Sequence, residues 1–353
     1  MSTVDLAGVP PRAPIVRRSL PPWGPAAVCV AAAAVAAVLL ALTAAGIAVL
    51  VVGAVLGAGV AVYLWSRVVE GSRTATDRGV TFGVTAAFAL ALVPLVSVLY
   101  TVVVRGLERF DVPFFTESAR NVVGAGGGGA HAILGTLIIT GAATVASVPV
   151  GVMAAVYLRE YGHGRLARAL TFFVDVMTGI PSIVAGLFAY ALFALLLGPG
   201  VRLGVIGAVA LSVLMIPIVV RSTEEMLRIV PDNLREAAYA LGVPKWRTVT
   251  KVVLPTALAG IVTGVMVAVA RVVGETAPLL ITTGVFSSIN VNPLNGRMEN
   301  LAVFAYNEYK NPGVPPEPYL ERAWAAALTL ILIVMALNLL ARLVYRRFGT
   351  EIR

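Results

Sequence analysis

Two opposite charges stand close together inside a long apolar run of the sequence. Arg271 and Glu275 lie within residues 257–281, where most other side chains are apolar. A charge at the centre of a membrane-spanning helix costs about 2.5–3.5 kcal/mol on insertion scales, so such a residue needs a function or a partner. If the run is helical, the spacing puts both side chains on one face, and we expect them to form an ion pair.

The chemistry open to these residues is anion binding. A guanidinium group that faces a cavity donates charge-assisted hydrogen bonds to an oxyanion, and a nearby carboxylate keeps the site from holding the anion too tightly. We therefore predict a substrate pathway that includes Arg271, Glu275 and the adjacent Thr276, with Asp175 as a further candidate. Asp175 is expected to pair with an arginine of this chain or of a partner. An ion pair that only holds helices together is the alternative interpretation.

Helix breakers lie near both charged positions. Pro278 has no N–H to donate to the carbonyl of Gly274, so the helix should kink or open beside the charged pair. Gly179 and Pro181 should disrupt a second helix just after Asp175. Irregular backbone within a membrane is tolerated only where protein or a water-filled cavity covers it, so both breaks are candidates for the pathway. A packing kink at Pro181 without substrate contact remains open.

The elements that must hold these residues are membrane-spanning helices. Hydrophobic residues make up 59% of the chain and charged residues 13%, whereas a typical soluble domain is about 45–50% apolar and about 25% charged. A transmembrane helix needs roughly 20 mostly apolar residues. The sequence therefore predicts an all-α integral membrane protein with about eight transmembrane helices. Their approximate ranges are 26–44, 47–65, 80–104, 131–157, 169–197, 203–220, 257–281 and 322–344.

Basic residues near the ends of these runs predict the orientation, because cytoplasmic loops are enriched in Lys and Arg. All of the arginine clusters fall on one side of an eight-span arrangement, so both termini are placed in the cytosol and the chain in the cytoplasmic membrane. This pattern, with contact to anionic lipid headgroups, explains the net charge of +9 without any nucleic acid. The clusters comprise Arg12, Arg17, Arg18, Arg67, Arg73, Arg78, Arg159, Arg165, Arg168, Arg342, Arg346 and Arg347.

The sequence predicts three regions. Residues 1–25 are rich in proline and predict a flexible cytosolic tail. Residues 26–79 predict a transmembrane hairpin and a cytosolic linker, and the spans of this hairpin carry no group suited to chemistry. Residues 80–353 carry polar side chains inside their spans and form the main domain. Within it, residues 221–256 are predicted to be a polar loop on the cytosolic side.

Several other kinds of site are disfavoured. Glycines in the stretch 124–129 match a dinucleotide-binding spacing but lack the preceding strand, so we expect a flexible loop. No G-x-x-x-x-G-K-[ST] loop occurs, so the chain is not expected to bind ATP. Cys29 is the sole cysteine and cannot form an internal disulfide. No metal site is predicted, because His131 and His163 lie near opposite membrane faces without a cluster of ligands.

The polar loop contains a helix–turn–helix pattern. A helix-forming stretch is ended by Gly242, the residue type that best tolerates a left-handed conformation, and Pro244 keeps the helix from continuing. A second short helix is expected from about Lys245 to Pro255. The small side chains of the first helix suit contact with a groove of another protein. The residues that carry this coupling pattern are Glu236, Ala237, Ala238, Gly242, Leu254 and Pro255.

These residues resemble a known signature. Glu-Ala-Ala, a glycine after three further residues, and then Val252-x-Leu254-Pro255 resemble the EAA loop of ABC importer permeases, with valine in place of the usual isoleucine. In that family the loop forms a coupling helix that docks into the ATPase subunit. The resemblance implies a type I ABC importer permease core, to which the N-terminal transmembrane hairpin, residues 26–65, is an addition.

Two further segments narrow the resemblance. Residues 175–190 and 270–280 look like the A-type permease subunit of phosphate-specific ABC importers, and the likeness covers approximately residues 80–345. It implies translocation of inorganic phosphate by alternating access, driven by a separate ATPase that binds the ATP. The chain would then be no enzyme and would need no cofactor of its own. The implied partners are a C-type permease in a heterodimer, two ATPase subunits and an extracytoplasmic phosphate-binding protein.

Other functions stay open from the residues alone. The same machine could carry another anion, such as molybdate, sulfate or phosphonate. An autonomous secondary transporter or an intramembrane enzyme is disfavoured, because the sequence lacks a Ser/His dyad, a metal cluster and a detectable inverted repeat.

Overall fold

The computed structural model describes residues 20–21, 23–42 and 47–348, and all regular structure in these ranges is helical. The predicted all-α membrane fold is confirmed. Most of the tail predicted for residues 1–25 lies outside the described residues. In chain order the helices are α1 (Gly24–Leu42), α2 (Ile47–Val69), α3 (Ser72–Gly106), α4 (Val112–Thr116), α5 (Ala130–Val156), α6 (Gly164–Thr178), α7 (Ser182–Leu197), α8 (Gly204–Ile229), α9 (Asp232–Ala240), α10 (Lys245–Thr248), α11 (Leu254–Val273), α12 (Ala277–Thr282), α13 (Leu301–Lys310) and α14 (Glu317–Phe348), with a 3-10 turn at Leu107–Arg109 and π turns at Tyr157–Tyr161 and Val249–Val253.

The described helices account for most of the predicted spans. Six are long and apolar enough to cross a membrane, and a seventh span exists if the bent pair α6–α7 counts as one. α1 has a shorter apolar stretch, Gly24–Val38, and residues 43–46 beyond it lie outside the described part. The protein is an integral membrane protein.

Helix α8 is longer than the sequence predicted. It continues to Ile229, whereas the corresponding apolar run was expected to end near residue 220. Arg221 and Glu224 form an ion pair of 2.8 Å across one turn, which supports the helix after the apolar residues end. The polar loop between α8 and the next span is correspondingly shorter than the predicted range 221–256.

The chain divides into two compact units, Met1–Leu99 and Tyr100–Arg353. The division falls within α3, since this helix runs without interruption from Ser72. The first unit therefore holds the predicted hairpin of α1 and α2 together with most of α3.

In the first unit, Glu70 organises the turn between α2 and α3. Its carboxylate accepts hydrogen bonds from the N–H of Leu20 (2.6 Å), the hydroxyl of Ser66 (2.7 Å) and the guanidinium of Arg78 (2.7 Å). These bonds, of which that from Leu20 is the strongest cause, lower the pKa of Glu70. Glu70 thus connects Leu20, which precedes α1, to the turn between α2 and α3.

The second unit is built on close contacts among α5, α8 and α11, whose buried apolar side chains meet in one cluster. Small residues let these helices approach. A methyl group at Gly151 of α5 would lie 2.7 Å from Val219 of α8, and one at Gly264 of α11 would lie 2.7 Å from Ser222 of α8. Such contacts are typical of membrane helices. These helices associate through close packing, because the hydrophobic effect does not drive their association within lipid.

At the end of the bundle that carries α13, the chain crosses α5. A Cβ at Gly135 would lie 1.9 Å from the carbonyl oxygen of Glu299. The hydroxyl of Thr136 accepts a hydrogen bond of 2.7 Å from the N–H of Leu301. One turn earlier on α5, Nε2 of the buried His131 lies 3.5 Å from Oε2 of the buried Glu299. Glycine at position 135 is therefore what allows the segment before α13 to lie on α5.

The glycine-rich stretch 124–129 is held in place, whereas the sequence predicted a flexible loop. The buried guanidinium of Arg322 donates to the carbonyls of Gly124 (2.8 Å) and Gly126 (2.9 Å) and to the carboxylate of Glu308 (2.8 Å). Burial raises the pKa of Glu308, and the charge of Arg322 opposes this shift. Arg322 lies on α14, far from residues 124–129 in the sequence, so local sequence patterns did not predict that it holds this loop.

Replacing Gly135 with alanine should destabilise the protein, because the added methyl group would collide with the carbonyl of Glu299. We expect Gly135→Ala to lower the free energy of unfolding by about 1–3 kcal/mol. Gly141→Ala on the same helix is the matched control, since nothing lies within 4 Å of its Cβ position, and alanine favours a helix over glycine. Thermal unfolding in detergent, followed by circular dichroism, measures both. Equal melting temperatures for the two variants would contradict the close contact.

Candidate functional site

Helix α11 ends at the charged positions. The chain is non-helical from Gly274 to Thr276, and α12 begins on the next residue. Pro278, in the first turn of α12, has no N–H to continue the helix from α11. The side chain of Asn300 donates a long hydrogen bond of 3.4 Å to the carbonyl of Glu275 within the break. The N–H of Glu275 donates to the carbonyl of Val272 (3.2 Å), so the break is supported both by α11 and by the segment before α13.

Arg271 and Glu275 do not pair. Within the described part of the chain, neither side chain takes part in a hydrogen bond or an ion pair, and Arg271 is exposed while Glu275 is partly buried. The predicted ion pair is therefore wrong. α11 ends between the two residues, so their spacing no longer places them on one helix face. Arg271 remains a cation without a partner among the described residues, on a helix apolar enough to span a membrane.

A second break separates α6 from α7. The connection contains Gly179 and Pro181, and the axes of the two helices are bent by 110°. α7 then packs on α12, and a Cβ at Gly186 would lie 2.6 Å from Cα of Pro278. The helices that follow the two breaks are therefore in direct contact, although the breaks lie far apart in sequence.

Asp175 pairs with an arginine of this chain. It forms an ion pair with Arg221 of α8, which also bonds Glu224. Arg221 lies eight residues, or about 12 Å, before the end of α8 that leads to α9, whereas Arg271 lies about 39 Å along the helical stretch that starts at Lys245. Asp175 and Arg271 are therefore at different depths, and the structure does not bring them together.

An open groove runs along α11 toward Arg271. Its volume is about 760 Å³, and α8, α11 and α14 form its walls. Gly264 and Val267 line it on α11, and Arg271 lies one helical turn after Val267 on the same face. Arg342 and Arg346 line it near the far end of α14. The groove thus extends along α11 from the end of the bundle that carries α9 as far as Val267, one turn before Arg271.

Helix α9 lies outside the candidate spans and is mostly exposed. Glu236 and Ala237 face outward, whereas Ala238 is buried. Beyond the end of the helix, Leu241 is 83% exposed and Trp246 is 58% exposed. The end of this polar helix therefore carries exposed apolar side chains.

A glycine turn ends α9. Gly242 has a left-handed φ of +75°. Its N–H donates to the carbonyl of Tyr239 (2.9 Å), and the N–H of Val243 donates to the carbonyl of Ala238 (3.1 Å). These two bonds form a Schellman motif, which satisfies the last carbonyls of the helix and requires the left-handed residue.

The next helix does not end at Pro255, where the sequence predicted its end. Lys245–Val273 is one helical stretch of 29 residues, in which Val249–Val253 forms a π turn. The N–H of Leu254 donates to the carbonyl of Val249, five residues earlier. Pro255 has no N–H and its ring crowds the carbonyl four residues before it, so the wider turn accommodates the proline without ending the helix.

Some charged contacts have no signal in the sequence. The arginine that pairs with Asp175 is 46 residues away, and the buried pair of Arg235 and Glu160 spans 75 residues. Local spacing does not predict such contacts. Arg235 directly precedes the Glu-Ala-Ala stretch, and this position was the one available hint.

Residues 147–353, which include α6 to α14, match the family described as "Binding-protein-dependent transport system inner membrane component". The match covers more than half of the chain. The chain belongs to this family. The permease is therefore a transport subunit embedded in the membrane and not an enzyme, and it works with other subunits of an ABC importer.

Relatives of the permease are similar over most of its length. "Phosphate transport system permease protein PstA 1" of Mycobacterium tuberculosis (strain CDC 1551 / Oshkosh) is 48% identical over 261 residues, which cover 73% of this chain and 84% of the relative. "Phosphate transport system permease protein PstA" of Yersinia pestis is 39% identical over 254 residues, with 72% and 84% covered. A bacterial alginate ABC transporter solved with an alginate pentasaccharide-bound periplasmic protein aligns at a TM-score of 0.53 and 13% identity, covering 77% of the permease and 95% of that chain. This last likeness shows a shared fold.

Because Arg271 and Glu275 do not touch, their contributions to stability should be independent. We expect the effects of Arg271→Gln and Glu275→Gln on the free energy of unfolding to add within about 0.5 kcal/mol in the double variant. The matched control is Arg322→Gln with Glu308→Gln, a buried pair at 2.8 Å, whose effects should not add. Unfolding in detergent, followed by circular dichroism, gives both cycles. A coupling energy between Arg271 and Glu275 as large as that of the control pair would indicate that the two residues do form an ion pair.

Proposed function

We propose that the protein is the permease subunit of an ATP-driven importer that moves inorganic phosphate across the cytoplasmic membrane by alternating access. The observation that carries this proposal is the break after α11, where Arg271 has no partner among the described residues and lies beside non-helical backbone. Transporters bind substrates at discontinuous helices, and irregular backbone within a membrane lies where protein or a water-filled cavity covers it.

The side chains at the break suit a phosphate that passes through. Arg271 supplies charge-assisted hydrogen bonds to the oxyanion. Glu275 adds a nearby negative charge, which limits how tightly the site holds the anion, because conduction requires release as well as binding. Thr276 contributes a hydroxyl that both donates and accepts hydrogen bonds. Gly274 and Pro278 keep this stretch out of the helix.

We place Asp175 at the inner end of the same pathway. Arg221 is shared there between Asp175 and Glu224. A phosphate that reaches Arg221 competes with two carboxylates, so this arginine attracts the anion without retaining it. The helix break at Gly179 and Pro181 gives α6 the separate orientation that brings Asp175 to α8.

Phosphate is favoured over other anions by the relatives. The proteins that are 48% and 39% identical to this chain are phosphate transport permeases. Molybdate, sulfate and phosphonate have no comparable support. An intramembrane enzyme or an autonomous secondary transporter is not favoured, because the chain belongs to a family of binding-protein-dependent transport components.

The exposed face of α9 is the proposed seat of the ATPase. Glu236, Ala237 and the Gly242 turn would shape this coupling helix, and Leu254 and Pro255 begin α11, into which the chain continues. The ATPase binds the ATP, so the permease needs no cofactor of its own. The complex would contain a C-type permease, two ATPase subunits and an extracytoplasmic phosphate-binding protein. Both termini of the permease would then lie in the cytosol.

Transport by the purified complex in lipid vesicles tests the proposal. Uptake of radiolabelled phosphate should require ATP, the ATPase and the phosphate-binding protein, while the permease alone should hydrolyse no ATP. Molybdate, sulfate and phosphonate in excess should not compete. Uptake that one of these anions abolishes, or that proceeds without the ATPase, would contradict it.

The arginine at the break should be needed for transport. Arg271→Gln should lower phosphate uptake about tenfold or more, because a charge-assisted hydrogen bond contributes about 1.5–3 kcal/mol, and Arg271→Lys should retain part of the activity. Glu275→Gln should change uptake or the ATP hydrolysed per phosphate. Since the two residues do not pair, the exchange of Arg271→Glu with Glu275→Arg should leave transport impaired. Near-normal uptake by the exchanged protein would indicate a purely structural pair.

The turn after α9 should be sensitive to backbone conformation alone. Gly242→Val should lower uptake and ATPase stimulation severalfold, because a left-handed residue with a Cβ costs roughly 1–2 kcal/mol and β-branching adds to this. Nothing lies within 4 Å of the Cβ position, so steric collision is absent. Gly242→Asn is the matched control, since asparagine tolerates this conformation. Equal uptake by both variants, at equal amounts in the membrane, would mean that the turn does not shape the coupling surface.

A further inference from the structure

One arginine of the coupling helix points into the protein. Arg235 of α9 is 8% exposed, although its neighbour Glu236 and most of the helix face outward. In α9 the buried residues are Arg235 and Ala238, and the latter offers only a methyl group. A charged residue is almost never buried unless it is paired. The contacts of Arg235 therefore define how α9 is held on the bundle.

The first contact joins α9 to the end of α5. Nε and Nη2 of Arg235 lie 3.2 Å and 2.8 Å from Oε1 of Glu160. Glu160 is 7% exposed and lies in the π turn that directly follows α5. A buried charge pair of this kind is strongly destabilised when one partner is removed, because the other charge is left without compensation.

The second contact joins α9 to the end of α8. Nη2 of Arg235 donates to the carbonyl of Leu227 (3.0 Å), and Nη1 donates to the carbonyl of Val230 (2.8 Å). Leu227 is in the last turn of α8 and Val230 follows it, and carbonyls at such a position have no partner within their own helix. Nη1 also bonds Asp232 at 2.9 Å, which orients the guanidinium from its own helix.

These contacts give α9 two different connections to the membrane-spanning helices. Through the chain, α9 follows α8 after two residues and continues by way of α10 and the π turn into α11, which carries Arg271. Through the guanidinium of Arg235, it is bound to the ends of α5 and α8. Only arginine has a planar fork of five donors that reaches a carboxylate and two carbonyls together, so lysine is no equivalent.

We propose that Arg235 is a positioning residue that transmits the displacement of the coupling helix to α5 and fixes the orientation of α9 on the end of α8. The proposal rests on the proposed function, in which α9 is moved by an ATPase. Without this fork, α9 would still move α8 and α11 through the chain but would lose its connection to α5. ATP hydrolysis would then be separated from the rearrangement of α5.

The test compares variants that keep the charge balance in this buried place. Arg235→Lys keeps the positive charge beside Glu160 but loses the fork. The double variant Arg235→Gln with Glu160→Gln removes both charges together and leaves two amides that can bond each other. Arg228→Gln is the matched control, because Arg228 is an exposed arginine on α8 with no hydrogen bond or ion pair among the described residues.

The readouts are the phosphate imported per ATP hydrolysed and the stimulation of ATPase activity by the phosphate-loaded binding protein, measured with complexes in lipid vesicles and normalised to assembled complex. We expect Arg235→Lys and the double variant to assemble and to keep basal ATPase activity. Both should lose at least about tenfold in phosphate imported per ATP, a change of about 1.4 kcal/mol in coupling. Arg228→Gln should match the unchanged protein.

The outcome that overturns the proposal is a ratio of phosphate to ATP within twofold of the unchanged protein in both variants. A fall in uptake that only follows a fall in assembled complex would equally overturn it, because Arg235 would then serve folding alone. Failure of the proposed function is seen separately, as an absence of ATP-dependent phosphate uptake by the unchanged complex. If that complex carries another anion, the same ratio is measured with that anion.

Discussion

The lack of water inside a lipid bilayer constrains every backbone group of this protein. An N–H or carbonyl that loses its helical partner must find another within the protein, so helices dominate and interruptions need cover. Both helix interruptions described here are covered by other parts of the protein. The helices after them pack together where Gly186 meets Pro278, and Asn300 reaches the carbonyl of Glu275. The position of Arg271 at the end of α11 and the bend of α6 against α7 both follow from where the backbone leaves the helix.

Local chemistry predicts much of this fold. Composition predicts the spans, and the missing N–H groups of Pro181 and Pro278 predict where the helices break. The predicted ion pair of Arg271 and Glu275 assumed that the helix continues through both residues. The predicted break beside Pro278 conflicts with that assumption, because the break begins at Gly274 and removes the helical spacing between them.

Long-range contacts are the part that sequence patterns do not predict. Asp175 and Arg221 meet across 46 residues, and the buried position of Arg235 depends on a carboxylate 75 residues earlier. Helix ends are also difficult, since α8 continues through its polar last turns and the helix before α11 passes through Pro255. The two long-range ion pairs join residues that become neighbours only after the bundle has formed, whereas the helix ends are decided by a pair one turn apart and by a local π turn.

The π turn at Val249–Val253 has a consequence for the direction in which Arg271 points. An α-helix turns about 100° for each residue, so the one extra residue that a π turn accommodates sets the rotational phase of everything after it. Arg271 lies 18 residues beyond Val253, about 27 Å along the helix. Loss of a single residue from the turn would bring the ring of Pro255 against the carbonyl four residues before it, which the wider turn avoids. It would also rotate Arg271, together with Gly264 and Val267 on the same face, by more than a quarter of a circle relative to α9.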